Sequence, residues 1–208
     1  MTRKEFITVL KEKDYSYEME GDKIVITHSG SVILDSLKTL PPGVEFVNGG
    51  IVNLSSLKTL PPGVAFKNSG GVLLGSLETI SPGVHFKNYG GVDLLSLKIL
   101  PPGVHFENDG SVNLVSLKTL PPGVVFKNGG DVILSALQTL PPGVEFKNGR
   151  HVYFLRSLET LPPGVEFKNG GLVKIKELGW VEDNKGIGIE GVGNKRLLNL
   201  MIKRELFI

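Results

Sequence analysis

One feature limits this chain more than any other: it repeats itself. A unit of about 20 residues, built around L-P-P-G-V-x-F-x-N-G-G-x-V-x-L, recurs seven times, with units opening at Ser31, Ile51, Gly71, Gly91, Ser111, Asp131 and His151. Self-similarity at this period marks an architecture in which short units stack on one another, because one unit alone cannot bury its apolar face. All 13 prolines fall in the turn of the unit, from Pro41 to Pro163, and none lies elsewhere.

Within a unit the apolar residues alternate over short stretches, as in Val44-x-Phe46 and Val52-x-Leu54. A period of two predicts strands with one face buried, two to each rung. Leu57-x-x-Leu60 has a spacing of three and runs into Pro-Pro-Gly, which predicts an irregular or 3₁₀ third side. Gly49-Gly50 and their counterparts read as the other sharp corner, where positive φ costs a glycine nothing. Each rung is then a closed coil, and stacking at about 4.8 Å aligns identical side chains in columns. Phe46 to Phe146 at every twentieth residue, with Phe167, would form an inner aromatic stack. Asn48 to Asn148, with Asn169, would form an amide ladder at the corner after the first strand, each side chain satisfying the next rung or the turn backbone.

An open stack of strands templates further pairing unless its ends are covered. Thr2 to Lys13, with Phe6, Ile7, Val9 and Leu10, reads as an amphipathic helix. Lys23 to Gly30 aligns as a degenerate first rung with His28 in the asparagine column. Val173-x-Ile175 and Leu178 continue the pattern for half a rung. Asn194 to Phe207 reads as a closing helix with Asn194 at its N-cap. The expected fold is mainly β: a tandem-repeat β-solenoid, a leucine-rich-like parallel β-helix with a helical cap at each end. The expected organisation is residues 1–30 as capping helix and first rung, 31–171 as seven repeats, and 172–208 as half rung and closing helix.

The repeat resembles the short leucine-rich-like units S-L-x-x-L-P-x-G-V-x-F-x-N-x-G found in arrays in bacterial and phage proteins. The resemblance covers residues 24–178, and K-E-F-I-T-V-L-K-E and R-L-L-N-L-M-I-K-R resemble the flanks of such arrays. It implies an interaction role and carries over no catalytic residue. The sequence departs from L-x-x-L-x-L-x-x-N-x-L in placing its asparagine after V-x-F, which favours a β-solenoid over a horseshoe with helices outside.

Composition narrows the partners. A net charge of +2 predicts no general affinity for nucleic acid or acidic membrane. With no cysteine there is neither a disulfide framework nor a thiolate nucleophile. Met1 to Asp14 mixes Lys and Glu and lacks an apolar signal core, and no apolar run is long enough to span a bilayer, so a cytoplasmic protein is expected.

Few positions suggest chemistry. Gly186-Ile-Gly188-Ile-Glu-Gly191 has dinucleotide-fingerprint spacing but lacks a βαβ setting, and reads as a turn before the closing helix. His85 and His105 share an outward column with Glu107 and Lys87 nearby, a set that could in principle hold a metal but reads as a solvated variable column. The serine column Ser36, Ser56, Ser76, Ser96, Ser116 and Ser157 reads as a structural ladder, since a nucleophile needs one activated hydroxyl and a base. No enzyme, cofactor or metal is expected.

Where the repeat varies is more telling. Lys67, Lys87, Lys127, Lys147 and Lys168 follow the phenylalanines and could seat an anionic ligand, with a solvated face as the plain alternative. Leu73, Leu95, Val115, Ile133, Tyr153 and Leu155 stand at outward positions on or beside the second strand, where apolar groups in water suit contact with a partner or simply raise strand propensity. The extra residue in His151-Val-Tyr-Phe-Leu-Arg-Ser157 predicts a bulge near Phe154 to Arg156. The leading expectation is a non-enzymatic module of bacterial or phage type that binds another protein or itself. The alternatives are a small-ligand or nucleotide sequestering protein, such as a phage anti-defence sponge, and a structural spacer or virion component.

Overall fold

The computed structural model describes residues 1–154, 165–175 and 179–181. The chain coils around a long core, and successive rungs supply strands to two sheets of nine strands each. The first sheet opens with Tyr17–Glu20 (β1) and Lys23–Ile26 (β2) and continues through Val44–Phe46, Ala65–Phe66 and their equivalents to Glu166–Phe167. The second begins at Val32–Ile33, passes through Val52–Asn53 and its equivalents to Val152–Phe154 and Val173–Ile175, and ends on Gly179–Val181. Rung pairs outside the two end strands are parallel and in register, as in Phe86↔Phe106 and Val92↔Val112. This is the parallel β-solenoid that the 20-residue period predicts.

The phenylalanines fill the middle of the core. Phe46 to Phe146 are fully buried, and neighbouring rings, including Phe167, stack 5.0–5.5 Å apart with nearly parallel planes. A ring is flat, so the same rotamer repeats without clash at the spacing of a sheet. Valines and leucines close the core on either side, from Val32 and Leu34 to Leu140 and Val144. In the last rung Phe154 takes the place that Leu134 holds in the rung before, and its ring meets Phe146 edge-on at 5.7 Å.

Of the partners expected for the asparagines, the structure shows the turn backbone. Each Nδ2 donates to the backbone of the corner: Asn88 to Gly70 O at 3.1 Å in the preceding rung, and to Gly90 O at 2.8 Å and Gly91 O at 3.3 Å in its own. The Oδ1 atoms of the column are buried and accept from no protein donor. These amides bind turns rather than one another.

The positive φ expected at Gly49-Gly50 is found at the other corner instead. The glycine of Pro-Pro-Gly takes positive φ, from +71° to +76° at Gly43 through Gly143, and Gly49 and Gly50 do not. What requires glycine at the second corner is close approach between rungs: a Cβ on Gly90 would lie 2.3 Å from Gly71 N, and one on Gly49 2.0 Å from Ser29 O. The third side is irregular for most of its length, yet Thr59–Leu60 pairs with Thr79–Ile80, and Ile99 bridges Thr119.

The N-terminal end is closed by a helix, Arg3–Glu12 (α1), that buries Phe6 and Leu10, one turn apart, on the core. A capping box starts it, with Thr2 accepting from Glu5 N–H and the Glu5 carboxylate accepting from Thr2 N–H. Those bonds, the backbone one foremost, hold the Glu5 carboxyl below its ordinary pKa. β1 then runs antiparallel along β2 and covers the edge of the first sheet. The edge of the second sheet is covered by one side chain: Tyr15 Oη accepts from Ile33 N–H at 2.8 Å and donates to Ile33 O at 3.3 Å. At the far end Gly179–Val181 pairs antiparallel with Val173–Ile175, so the half rung is present. The closing helix expected at 194–207, Leu178, and the glycine-rich 186–191 lie outside the described residues.

Candidate functional site

Stacking consumes the inward positions, so chemistry is left to the outer faces and the corners. On the outer face of the first sheet, the lysines following the phenylalanines are paired within the chain. Lys67 Nζ reaches Glu45 at 2.5 Å and Lys87 reaches Glu107 at 2.9 Å, with Lys127 on the other side of Glu107 at 3.9 Å. Lys147 pairs with Glu145, and Lys168 with Glu166. The hydrogen bond from Lys87 is the main cause that lowers the Glu107 pKa, and the bond from Lys147 does the same for Glu145. Ion pairs this exposed contribute little to stability, because water screens them. Their effect is a face of alternating sign, unlike an unbroken row of cations.

His85 and His105 are in direct register on this face, with ring centroids 4.6 Å apart and planes 23° from parallel. The nearby Glu107 carboxylate is occupied by Lys87 and Lys127. Among the described residues, no three of His, Cys, Asp and Glu gather as a metal-binding group. Of the serine column, Ser96 Oγ donates to Gly75 O at 2.6 Å across the rungs, a structural use of the hydroxyl.

The second sheet carries the apolar deviations. Leu73, Ile133 and Tyr153 occupy one outward column, with Ile133 and Tyr153 in direct register and Leu73 flanked by Asn53 and Asp93. Leu95 and Val115 stand just past their strands, in the turn that follows. Leu95 is 41 % exposed, Ile33 and Ile51 are comparably exposed, and Leu73, Val115, Ile133 and Tyr153 are half-buried. Partial burial, with a smaller contribution from Asp131, pushes the Tyr153 phenol pKa up. Leu155 and the expected bulge at 154–156 extend beyond the described residues. The structure therefore gathers five of the six sequence-selected residues on one side of the solenoid.

Sequence reasoning passes over the corner that opens each rung. There the backbone N–H of one rung is accepted by the side chain 20 or 21 residues earlier: Ile51 N–H by Ser31 Oγ at 3.1 Å, Asp131 N–H by Ser111 Oγ at 3.0 Å, His151 N–H by Asp131 Oδ1 at 2.9 Å and Leu172 N–H by His151 Nδ1 at 2.8 Å. The signal that could have found it is the recurrence of small acceptors at this one position.

Fold and faces together define a class: a parallel β-solenoid of tandem repeats, closed by an N-terminal helix and offering long regular surfaces. Neither a protein family, nor a curated protein, nor a solved structure matches the chain. Among the described residues, no helix is long and apolar enough to cross a membrane.

Proposed function

We propose that the chain is a non-enzymatic protein-binding or self-associating scaffold module of the bacterial and phage short-repeat type, acting in the cytoplasm. The observation that carries this is the outer side of the second sheet. Its outward positions, residues 31, 33 and 35 and their equivalents as far as Tyr153, include no lysine or arginine, while Leu95, Ile33 and Ile51 stand in water. Charged residues are what solenoids use to keep a strand surface soluble and single. The absence of cations here, with only Asp35, Asp93 and Asp131 charged, on rungs whose first sheet has abundant Lys and Glu, marks this side for contact.

The test is Leu95→Glu combined with Ile133→Glu, two exposed or half-exposed positions whose inward neighbours are untouched. Light scattering on the eluting peak reads self-association, and pull-down from bacterial lysate compares parent with variant. The variant is expected to keep the parent's circular dichroism and melting temperature while losing either its oligomer or its captured partner. If both survive the two charges, the face is not the interface.

A further inference from the structure

The outer side of the second sheet carries charge of one sign. Along its outward columns the charged residues as far as Tyr153 are Asp35, Asp93 and Asp131, and the first cation, Lys174, comes only in the rung after Tyr153. Asp35 is exposed, and Asp93 and Asp131 are half-buried. Asp131 Oδ1 accepts the His151 backbone N–H. Among the described residues, Asp35 and Asp93 have neither a cation at ion-pair distance nor a hydrogen-bond donor. The first sheet differs: Glu45, Glu107, Glu145 and Glu166 each meet a lysine of this chain. One side of the coil matches its acids internally, and the other leaves them for a partner.

These acids stand among apolar groups. Asp93 is in direct register with Leu73 on one side and with Asn113, then Ile133, on the other, and Leu95 beside it is 41 % exposed. A partner that fits this side brings apolar side chains and cations together. The same acids disfavour polyanions and acidic lipid surfaces.

Shape narrows the partner further. The backbone N–H and C=O groups of the second sheet are committed to the parallel ladder between rungs, so no strand can be added to this face and the partner meets it through side chains. The stretch from Ile33 to Tyr153 spans about 29 Å at the rung spacing, and the face is about 10–12 Å across. That outline is close to one α-helix of about 20 residues. Two copies of the chain laid face to face would each bury on the order of 350 Å² here, under half of the roughly 800 Å² per partner of a standard stable interface. Asp93 and Asp131 stand two rungs apart, about 9.6 Å, near the roughly 10.5 Å between residues seven apart on a helix.

We infer that this side receives an amphipathic helix of a partner protein, its apolar stripe flanked by lysine or arginine that pair with Asp93 and Asp131. The inference rests on the reading of this side as the contact surface and names the chemistry of what it contacts.

The probe is a fluorescein-labelled amphipathic helix of leucine and lysine, about 20 residues long, compared with the same peptide carrying glutamate in place of lysine. Fluorescence anisotropy with the full chain reads both affinities. The lysine peptide is expected to bind saturably and at least about tenfold more tightly than the glutamate peptide. Asp93→Asn puts here the residue that Asn53 and Asn113 already supply in this column, and should weaken the lysine peptide about threefold. Asp35→Lys combined with Asp93→Lys should weaken it about tenfold and strengthen the glutamate peptide, and Lys174 shows that the column accepts a lysine. Amide NMR should place the bound lysine peptide at Leu73, Asp93, Leu95 and Ile133. The inference is overturned if the lysine peptide fails to bind, if the two peptides bind alike, if the first-sheet amides of Lys87 and Glu107 shift instead, or if neither aspartate variant changes the preference. It is also overturned, with the contact reading intact, if the parent is an oligomer that Leu95→Glu with Ile133→Glu dissolves and the lysine peptide does not. Survival of both oligomer and captured partner in that glutamate pair would refute the contact reading itself.

Discussion

Asn88→Ala should cost about 2–3 kcal/mol. The Asn88 amide ties two rungs through bonds of 3.1 and 2.8 Å and a longer one of 3.3 Å. At about 1 kcal/mol for each good buried bond, and less for the third, the loss comes to that figure. Each carbonyl keeps at least one other donor, Gly90 N–H and Asn68 Nδ2 on Gly70 O, Gly110 N–H and Asn108 Nδ2 on Gly90 O, and Val72 N–H on Gly91 O, so none is left wholly unpaired. For a chain of this size the melting temperature should fall by about 4–12 °C. Asn88→Asp distinguishes a lost bond from a lost shape, because it keeps the shape and turns an acceptor toward three carbonyl oxygens. It should cost roughly 4 kcal/mol or more at neutral pH. Burial and the carbonyls would raise the folded-state pKa of that carboxyl above the unfolded value of about 3.9, so the protonated acid is the form the fold tolerates. The deficit relative to the parent should then be smallest below about pH 3.9 and grow as pH rises through the folded pKa. Urea unfolding followed by circular dichroism from pH 3 to pH 8 measures both effects. An alanine cost under about 0.5 kcal/mol, or an aspartate deficit that does not change with pH, would refute the role given to the amide column.

Two further outcomes follow from the glycines and from the N-terminal edge. Gly123→Ala, at φ +71° with open space around the new Cβ, should cost about 1–2 kcal/mol, whereas Gly90→Ala drives a Cβ to within 2.3 Å of Gly71 N and should cost distinctly more; urea midpoints of the two variants test the order. Tyr15→Phe keeps the ring and removes the hydroxyl that covers both polar groups of Ile33, so hydrogen exchange at the Ile33 amide should quicken while amides in the middle rungs hold their rates.

The parts of the fold that repetition governs were legible. Alternation at Val-x-Phe and Val-x-Leu names the strands, and in a stack of equal rungs a residue's neighbour is its counterpart 20 positions away. That is why the phenylalanine column and the pairing of His85 with His105 follow from the sequence. What escaped it depends on contacts between unlike positions. Gly49-Gly50 looks like a turn that needs positive φ, but the constraint on it comes from the backbone of the adjacent rung, which no local pattern displays. Tyr15 lies in the non-repeating head, so nothing in the period points to Ile33. Thr59 and Ile99 meet their counterparts on the third side through backbone pairing, which the spacing of Leu57 and Leu60 does not display. For the candidate site, Leu73, Leu95, Val115, Ile133 and Tyr153 could be selected because they break a rule. The corner acceptors Ser31, Ser111, Asp131 and His151 escaped because what they share is a contact with the rung that follows, which no run within one unit displays.

The antiparallel strands at the two ends have a consequence for length. Within the stack every rung presents the next with the same edge, the same register and the same side chains, so nothing in the middle counts how many rungs have been laid down. β1 and Gly179–Val181 run against that direction, and a coil of the repeating kind cannot continue in register on a strand pointing the other way. They act as terminators, and the number of units between them is a free variable. Whole rungs could be gained or lost as 20-residue blocks while both terminators stay intact, leaving the chain a ruler whose reach changes in steps of about 4.8 Å.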